Sequence, residues 1–432
     1  MFSLCIIILK SQTLEYALRV CQGKRALAAA VSTPGVSRKL LGIIISVTVV
    51  LLFISCFIGI LWIRKLRSTD FEISQEEKTL TTGDETLDLW NGEGSSDVPL
   101  YDFNQIVNAT NNFSLDNKLG QGGFGLVYKG VLQDGLEIAI KRLSACSGQG
   151  LTEFRNEIQL IGKLQHRNLV RLVGWCVHGQ EKLLVYEFMP NKSLDFFIFD
   201  ETRAALLDWE SRFEIIEGIA HGLLYLHKHS RLRIVHRDLK ASNILLDSEM
   251  NPKISDFGLA RIFGPKELEA NTNRVVGTHG YMAPEYASDG FFSIKSDVFS
   301  YGVLLLEIVS GKRNMGFHQY RHFFNLLGYA WDKWKEGKFF DLICPTLTEV
   351  PSQRQIERCI HIALLCVQEN PADRPTMSDV ITFLTTASIV LPEPKQPAYF
   401  NVRVTEKAEE SSDLDGSSCS INYVTLTNPE VR

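Results

Sequence analysis

A polar run near the middle of the chain, HRDLKASN, contains residue types that suit the transfer of a phosphoryl group. Asp238 can accept the proton of an attacking hydroxyl group, and Lys240 can neutralise the charge of the group in transfer. Asn243 offers a hard oxygen ligand to Mg²⁺. A polar turn between two strands would explain each residue singly but not the three together, so the run favours the catalytic interpretation.

Two further motifs follow this run in order. Asp256-Phe-Gly258 begins eighteen residues after Asp238 and supplies a second oxygen ligand for Mg²⁺, a hydrophobic anchor and a hinge glycine. Ala283-Pro-Glu285 comes next. Each tripeptide alone occurs often by chance, but their order and spacing together indicate one phosphoryl-transfer site.

A glycine-rich stretch, Gly120-Gln-Gly122-Gly-Phe-Gly125, precedes these motifs. Glycines let a backbone approach phosphates closely and donate N–H groups to them. Alone the stretch is a weak signal, but strand residues follow it here, which disfavours a dinucleotide-binding fold. Lys141 lies sixteen residues after Gly125 in a strand. Although such a lysine is usually a solvated edge residue, here it can pair with ATP phosphates, with Glu157 of the next helix as its carboxylate partner.

The elements that must position these residues are strands in the first part of the body and helices in the rest. The segments LVYKGVL and EIAIKRL, joined at DG, have the composition of paired strands. The segment LTEFRNEIQLIGKL predicts a helix, because apolar residues recur at helical spacing: Phe154, Ile158, Ile161 and Leu164. Helical patterns dominate after Pro190, including the apolar run VFSYGVLLLEIV, which indicates a buried helix. The sequence therefore predicts an α+β fold with a small β-rich lobe and a larger helical lobe.

The stretch from Leu40 to Ile63 is uncharged, apolar and long enough to cross a membrane. As a helix it would span about 36 Å, against roughly 30 Å of hydrocarbon. Arg38 and Lys39 precede it, and Trp62 lies at its end, where aromatic rings favour the membrane interface. A signal peptide would be shorter and nearer the start, and a buried helix rarely runs this long without a polar residue. We therefore expect one transmembrane helix.

Charge and cysteine content exclude several other classes of protein. The net charge of −5 gives no sign of nucleic-acid binding. The nine cysteines contain no CxxC pair, so neither a zinc cluster nor a dense disulfide framework is expected. Residues 1–67 are basic, residues 68–112 carry a net charge of −9, and the remainder is nearly balanced. This distribution indicates a basic membrane flank, an acidic linker and a globular body.

Residues 113–391 resemble the eukaryotic protein kinase domain, with its β-rich N-lobe and helical C-lobe. The resemblance is closest to plant receptor-like kinases, through NNFSLDNKLGQGGFGLVYKG, LQHRNLVRL, MPNKSLD and DRPTMSDV. KQPAYF and the tail SINYVTLTNPEVR resemble the S-locus, or G-type lectin, branch, and the cysteine-rich receptor branch is close to it. Lys240 within HRDLKASN resembles the serine/threonine pattern rather than the tyrosine kinase pattern.

This resemblance implies ATP and Mg²⁺ as cofactors and assigns roles to residues of both lobes. The catalytic residues would be Asp238, Lys240 and Asn243, with Asn243 and Asp256 as metal ligands. Tyr186 would be the gatekeeper beside the adenine pocket. Glu285 would form a buried ion pair with Arg374, and the Asp297 carboxylate would hold the backbone of the HRD loop. The residues expected to bind the nucleotide are Leu119, Gly120, Gly122, Gly125, Val127, Ala139, Lys141, Glu157, Glu187 and Met189.

The implied organisation is a single-pass plasma-membrane protein with a cytoplasmic kinase domain. Six basic residues before the span and three just after it favour a cytosolic N-terminus, but the kinase needs cytosolic ATP, so we expect the opposite orientation. The expected segments are residues 1–39 outside the cell, the transmembrane helix 40–63, a juxtamembrane linker 64–112, the kinase domain 113–391 and a disordered tail 392–432. Residues 1–39 leave no room for a lectin-type ectodomain, so extracellular ligand binding is not expected.

The expected function is phosphorylation of serine and threonine hydroxyls of protein substrates in signalling. Partners implied by the resemblance are protein substrates, co-receptor kinases or a second copy of the chain, and no nucleic acid. The alternative is a catalytically silent pseudokinase that acts as a membrane-bound scaffold. Loss of Lys141, Asp238 or Asp256 would indicate that alternative, and all three are present.

Regulation is expected in the loop from Leu259 to Met282, because kinases with an arginine before the catalytic aspartate, here Arg237, are commonly activated by a loop phosphate. The loop contains three hydroxyl side chains, those of Thr272, Thr278 and Tyr281. By resemblance, Thr278 hydrogen-bonds to the catalytic Asp238 and Lys240, and Tyr281 is packed. Thr272, in the polar stretch EANTNR, is therefore the expected phosphorylation site, with Arg237 as its partner.

Overall fold

The computed structural model describes residues 98–122, 125–143, 148–264, 267, 269–315, 325–347 and 353–400. For residues 148–152 within this set, it describes the backbone but not the side chains. Among these described residues, no helix is both long enough and apolar enough to span a membrane. The transmembrane helix expected over 40–63 lies outside them. The segment 1–39, most of the expected linker and most of the expected tail also lie outside them.

Five strands form the sheet of the first lobe: β1 (Lys118–Gly122), β2 (Gly125–Val131), β3 (Glu137–Leu143), β4 (Leu172–His178) and β5 (Glu181–Glu187). The sheet is antiparallel with the order β1-β2-β3-β5-β4. β2 and β3 are the predicted pair of strands. Their turn contains Gly135 at a φ of 84°, in the left-handed region that favours glycine.

Two helices pack on this sheet, α1 (Phe103–Ala109) and α2 (Gly148–Ile161). Ile106 of α1 is fully buried in a small core with Ile138 and Ile140 of β3. α2 is the predicted helix, and its apolar face is buried against the sheet through Phe154, whose ring meets that of Trp175 edge-on at 6.2 Å. The helix that carries Glu157 is thereby fixed next to β4.

The second lobe is mainly helical. Its helices are α3 (Asp195–Ile198), α4 (Trp209–Leu224), α5 (Pro284–Asp289), α6 (Ile294–Ser310), α7 (Leu326–Lys335), α8 (Gln353–Cys366) and α9 (Met377–Thr385). Three short antiparallel strand pairs lie among them: β6 (Arg233–Val235) with β9 (Arg261–Phe263), β7 (Ile244–Leu246) with β8 (Pro252–Ile254), and β10 (Glu269–Asn271) with β11 (Phe291–Ser293). These pairs place the HRD and DFG motifs, which flank β7 and β8, next to each other.

Helix α6 is the predicted buried helix, and the rest of the second lobe packs around it. Every residue from Ser296 to Ser310 is buried. The helix begins with a capping box between Ser293 and Ser296 and ends at Gly311, which has a φ of 68°. Because α6 is apolar on all sides, its one early acid, Asp297, must find partners within the protein.

The folded body extends beyond the expected boundary at residue 113. Tyr101 N donates to Trp175 O at 2.9 Å, and Trp175 N donates to Pro99 O at 3.2 Å, so residues 99–101 lie along the free edge of β4. α1 follows, with a capping box between Asp102 and Gln105. The linker expected over 64–112 therefore ends earlier, because the apolar residues of its last part are buried against the sheet.

The C-terminal boundary expected at residue 391 is also too early. Ala398 is buried, and its N–H donates to Val367 O at 3.0 Å. Gln368, just after α8, exchanges two hydrogen bonds with the backbone of Lys395. Residues 392–400, which the sequence assigned to a disordered tail, thus form part of the domain surface.

Candidate active site

Lys141 on β3 lies between two carboxylates. Its Nζ atom is 2.8 Å from Glu157 Oε1 on α2 and 2.9 Å from Asp256 Oδ1 of the DFG motif. Burial alone would lower the pKa of Lys141, but the charges of Asp256 and Glu157 outweigh burial and raise it. The positively charged Lys141 of β3 therefore connects the sheet to α2 through Glu157 and to the DFG motif through Asp256.

Asp256 is ionised although it is surrounded by protein. Burial would raise the pKa of its carboxyl group, but Lys141, with smaller effects from Lys240 and His236, lowers the pKa overall. Its backbone has a φ of 65°, a left-handed conformation that costs a non-glycine residue about 1–3 kcal/mol. The fold thus maintains a strained, charged carboxylate at the junction of the two lobes.

Tyr186, the expected gatekeeper at the end of β5, has a partner that the sequence did not predict. Its hydroxyl group donates a hydrogen bond to Glu157 Oε2. Burial, together with the Glu157 charge, raises the pKa of Tyr186 well above its usual value, so the hydroxyl stays protonated and donates. A signal was available in the sequence, because a tyrosine at a buried strand end needs a partner for its hydroxyl group.

Asp238 is the centre of a second cluster of polar side chains. Lys240 Nζ is 2.9 Å from Asp238 Oδ2, and Thr278 Oγ1 donates to Asp238 Oδ1 at 2.6 Å. Lys240 also donates to Thr278 Oγ1 at 2.9 Å. Asn243 Nδ2 donates to the backbone oxygen of Asp238 at 2.8 Å and to its Oδ2 at 3.1 Å. The four residues singled out in the sequence therefore meet at one buried carboxylate.

Asp297 of α6 fixes the backbone of the loop that carries Asp238. Asp297 accepts hydrogen bonds from the backbone N–H groups of His236 at 2.8 Å and Arg237 at 2.9 Å, and His227 Nε2 lies 2.9 Å from it. Burial would raise the pKa of Asp297, but these partners lower it overall. Because Arg237 has a φ of 69°, the bonds to Asp297 stabilise a strained turn directly before Asp238.

The glycines of the first loop differ in what surrounds them. At Gly125, with a φ of 136°, a Cβ atom would lie 2.0 Å from Arg142 O, so no other residue fits. At Gly120 and Gly122 a Cβ atom would meet no described atom within 4 Å. Packing therefore does not require the latter two glycines, and the space beside them is open to a ligand.

The remaining residues expected at the nucleotide lie on β1 to β3 and at the end of β5. The register pairs Val127 with Lys141, which puts Val127, Ala139 and Lys141 on one face of the sheet. Glu187 Oε1 accepts from Arg171 N at 2.8 Å and lies 3.2 Å from Lys253 Nζ, and the backbone N–H of Glu187 donates to Arg171 O at 3.1 Å. Of the two further residues expected there, Leu119 on β1 is exposed and Met189, which follows β5, is buried.

The regulatory residues are not brought together. The Arg237 guanidinium donates to Leu259 O at 3.2 Å and to Tyr286 Oη at 2.5 Å, and lies over the Phe292 ring. Thr272 follows β10, where its hydroxyl donates to Arg274 O at 3.1 Å. A contact between Arg237 and Thr272 would require the loop to rearrange.

Two acidic residues support the segment that follows Thr278. Glu285 forms two 2.8 Å bonds to Arg374, whose side chain is wholly buried, as the sequence predicted. Glu307 of α6 was not predicted. It accepts from Tyr281 Oη at 2.6 Å and from Asn314 N at 2.8 Å, and burial raises its pKa to about 7. A lone acid within the apolar run of α6 was the sequence signal for such a role.

The protein tyrosine and serine/threonine kinase family model matches residues 113–384. A G-type lectin S-receptor-like serine/threonine-protein kinase of Arabidopsis thaliana is 60% identical over 337 residues, which cover 78% of this chain and 40% of that protein. A second Arabidopsis kinase of this name, B120, is 53% identical over 420 residues, which cover 92% of this chain and 49% of that protein. The receptor-like serine/threonine-protein kinase SD1-8 of the same plant is 51% identical over 416 residues, which cover 92% of this chain and 48% of that protein.

The chain belongs to the protein tyrosine and serine/threonine kinase family. The predicted two-lobed kinase fold is confirmed, and so is the predicted resemblance to receptor-like serine/threonine kinases of the G-type lectin group. The chain spans less than half the length of the curated relatives described above.

Proposed function

We propose that this chain is a membrane-anchored serine/threonine kinase that transfers the γ-phosphoryl group of ATP to protein hydroxyl groups. The observation that carries the proposal is the surroundings of Asp238. Its carboxylate accepts a hydrogen bond from a threonine hydroxyl group, that of Thr278, at 2.6 Å. A substrate hydroxyl in hydrogen-bonding reach of the same carboxylate could transfer its proton to it.

In the proposed reaction the substrate oxygen forms a bond to the γ-phosphorus as the bond to the β–γ bridging oxygen breaks. ADP leaves with that electron pair, and Asp238 takes the hydroxyl proton. Lys240, whose Nζ is 2.9 Å from Asp238 Oδ2, compensates negative charge at the transferred group. The protein contributes mainly positions and preorganised charges, which are the dominant contributions in phosphoryl transfer.

The proposed nucleotide site lies beside the glycine-rich loop. The open space at Gly120 and Gly122 supports a close approach of phosphates, which Lys141 would contact. Glu157 would hold Lys141 in place, and Gly125 would shape the loop. The adenine would lie between Val127 and Ala139, near Leu119, and reach the backbone of Glu187 and Met189.

The proposed metal ligands are Asp256 and Asn243, and bound Mg²⁺ would supply charge neutralisation at the phosphates. Two features support this assignment. Asp256 is kept ionised, and Asn243 makes both of its bonds to Asp238 with its nitrogen, so its oxygen is the atom available to a cation. In the described part of the chain, no three His, Cys, Asp or Glu side chains form a metal cluster. Phosphate oxygens and water would complete the coordination, as is usual for Mg²⁺.

The proposed location is the plasma membrane, with residues 40–63 as a single span and the kinase domain in the cytoplasm. The apolar stretch and its basic flanks support the span. Protein substrates are the proposed partners, together with co-receptor kinases or a second copy of the chain. A glycosylation acceptor inserted before Ser37 is expected to be modified in microsomes, and one in residues 401–432 is not. The reverse pattern would contradict this orientation.

Phosphorylation of Thr272 is the proposed activating modification. Its phosphate would carry a charge of about −1.5 to −2, sufficient to draw the Arg237 guanidinium away from Leu259 O and Tyr286. Trypsin should release residues 267–274, in which Thr272 is the only hydroxyl residue. Full activity of Thr272→Ala, or an unmodified peptide from active kinase, would refute this role.

The activity is tested with the full chain in detergent micelles, Mg²⁺, radiolabelled ATP and myelin basic protein. Acid hydrolysis of the product should yield phosphoserine or phosphothreonine, and EDTA should abolish incorporation. Phosphotyrosine alone would contradict the serine/threonine assignment. ATP binding without incorporation would instead favour the pseudokinase alternative, which nothing in the site supports at present.

A further inference from the structure

The segment Gly280–Met282, which follows the catalytic-site Thr278, is fixed by three side chains from three different parts of the fold. Asn314 Nδ2 donates to Gly280 O at 2.6 Å, and Ser300 Oγ of α6 donates to Tyr281 O at 2.7 Å. Tyr399 Oη donates to Met282 O at 3.2 Å. Three consecutive carbonyl groups therefore each accept a hydrogen bond from a side chain distant in sequence.

The third of these donors belongs to what we name the C-terminal segment, residues 394–400 (PKQPAYF). This segment lies beyond residues 113–384, which the family model matches. It is anchored at both ends of its course, because Gln368 exchanges two bonds with Lys395 and Asn325 Nδ2 donates to Tyr399 O at 3.0 Å. The anchoring explains how a residue beyond the matched region reaches the segment that follows Thr278.

Tyr399 is also held in an unfavourable backbone conformation. Its φ is 58°, in the left-handed region that a bulky side chain rarely adopts and that costs about 1–3 kcal/mol. Its ring meets that of Phe299 on α6 edge-on at 6.0 Å. Burial raises the pKa of Tyr399, so its hydroxyl remains a donor. Strain of this kind persists only where the surrounding contacts fix the residue in place.

We propose that Tyr399 is a positioning residue for the protein substrate, and that it acts through the backbone of Met282. The Met282 side chain packs against Gly277: a Cβ atom at that glycine would lie 3.1 Å from Met282 Cε. Gly277 precedes Thr278, which bonds to Asp238. The stretch from Thr278 to Met282 is therefore held at both ends, by Asp238 at Thr278 and by Tyr399 of the C-terminal segment at Met282. The effect on substrate rests on the proposed kinase function, whereas the contact itself does not.

The test compares the wild-type full chain in detergent micelles with Tyr399→Phe, which removes only the hydroxyl group. Tyr301→Phe is the matched control, because Tyr301 Oη also donates to a backbone oxygen at 3.2 Å, that of Ile216 on α4. We expect Tyr399→Phe to raise the KM for myelin basic protein roughly threefold to tenfold, as loss of one hydrogen bond would. The KM for ATP should change less than about twofold, and Tyr301→Phe should leave both KM values unchanged.

Hydrogen exchange provides a readout that does not depend on catalysis. Amides of residues 278–283 should exchange faster in Tyr399→Phe than in the wild type or in Tyr301→Phe. Unchanged exchange overturns the proposed contact even if the chain proves inactive. Faster exchange with an unchanged KM for the protein substrate overturns the positioning role. A wild type without phosphotransfer refutes the proposed function, and the exchange result then decides separately whether Tyr399 holds this segment.

Discussion

The hydroxyl group of Tyr186 and the carboxylate of Glu157 are hydrogen-bonded across the first lobe, from the end of β5 to α2. Glu157 is fully buried and uses its other oxygen for Lys141 at 2.8 Å. Both oxygens of the acid are therefore satisfied, one by Lys141 of β3 and the other by Tyr186 of β5. The position of α2 thus depends on Tyr186 as well as on Lys141.

Tyr186→Phe is expected to destabilise the protein and weaken ATP binding. The substitution removes one donor from a buried carboxylate, which costs about 1–3 kcal/mol. We expect a lower urea midpoint and a severalfold higher dissociation constant for ATP. Tyr301→Phe, which loses a hydrogen bond far from the nucleotide, should lower only the urea midpoint. An unchanged affinity for ATP in Tyr186→Phe would contradict a role of this bond in positioning α2.

Glu285→Ala should be strongly destabilising. It leaves the wholly buried side chain of Arg374 without its carboxylate, and removal of one partner from a buried pair costs about 3–5 kcal/mol. The matched control is Glu137→Ala, because its pair with Lys129 is half-exposed and worth about 0–1 kcal/mol. Thermal unfolding measures both. Similar midpoints for the two variants would show that the buried pair is not a structural requirement.

The pKa of Glu307 predicts how stability depends on pH. The folded-state pKa of about 7 exceeds the unfolded value, near 4.3. Between these values the folded state binds the proton and the unfolded state does not, so stability falls as pH rises from about 4 to about 7. The loss should reach about 3 kcal/mol. The groups that face this carboxyl group are Tyr281, Asn314, Arg313 and Asp195.

Glu307→Gln tests this prediction, because glutamine resembles the protonated acid and does not titrate. Its stability relative to the wild type should increase by about 2–3 kcal/mol between pH 5 and pH 8. Urea midpoints measured across this range provide the comparison. Parallel curves for the two proteins would mean that Glu307 is already ionised at pH 5.

Gly302→Ala should disrupt the packing of α6 against α8. A Cβ atom there would lie 2.6 Å from Cys366 Cβ and 3.0 Å from Ala363 O, so the helices must separate, at a cost of about 1–3 kcal/mol. Gly328→Ala in α7 is the control, since its Cβ atom would meet Asn325 Oδ1 at an ordinary 3.4 Å. That control should be neutral or stabilising by up to about 1 kcal/mol. Equal thermal midpoints would contradict the close approach at Gly302.

The sequence predicted the elements whose patterns are local. The spacing of Phe154 and Ile158 predicted α2, and the apolar run after Asp297 predicted α6; both have the expected buried faces. The domain ends were predicted too narrowly, because Ile106 and Ala398 stand in short stretches that mix apolar and polar residues without a long apolar run. Only tertiary contacts show that these residues are buried.

Within the site, the motif residues around Asp238 were identified because their types and spacing are specific. Contacts between elements far apart in sequence were not identified. The bond from Tyr186 to Glu157 and the bond from Tyr399 to Met282 illustrate this: a buried tyrosine hydroxyl needs a partner, but the residue types do not specify which one. The expected pairing of Arg237 with phosphorylated Thr272 stays a prediction; in the structure Arg237 donates to Leu259 O and the Thr272 hydroxyl donates to Arg274 O.

The most direct test of the proposed kinase activity is phosphate transfer by Asp238→Asn compared with the wild-type full chain, with ATP affinity measured in parallel. The asparagine keeps the shape of the side chain but cannot take the hydroxyl proton, and loss of a general base typically costs about 10²–10⁴ in rate. We predict that incorporation into myelin basic protein falls at least about a hundredfold, while ATP still binds. Equal incorporation by the two proteins would contradict the assignment of Asp238 as the catalytic base.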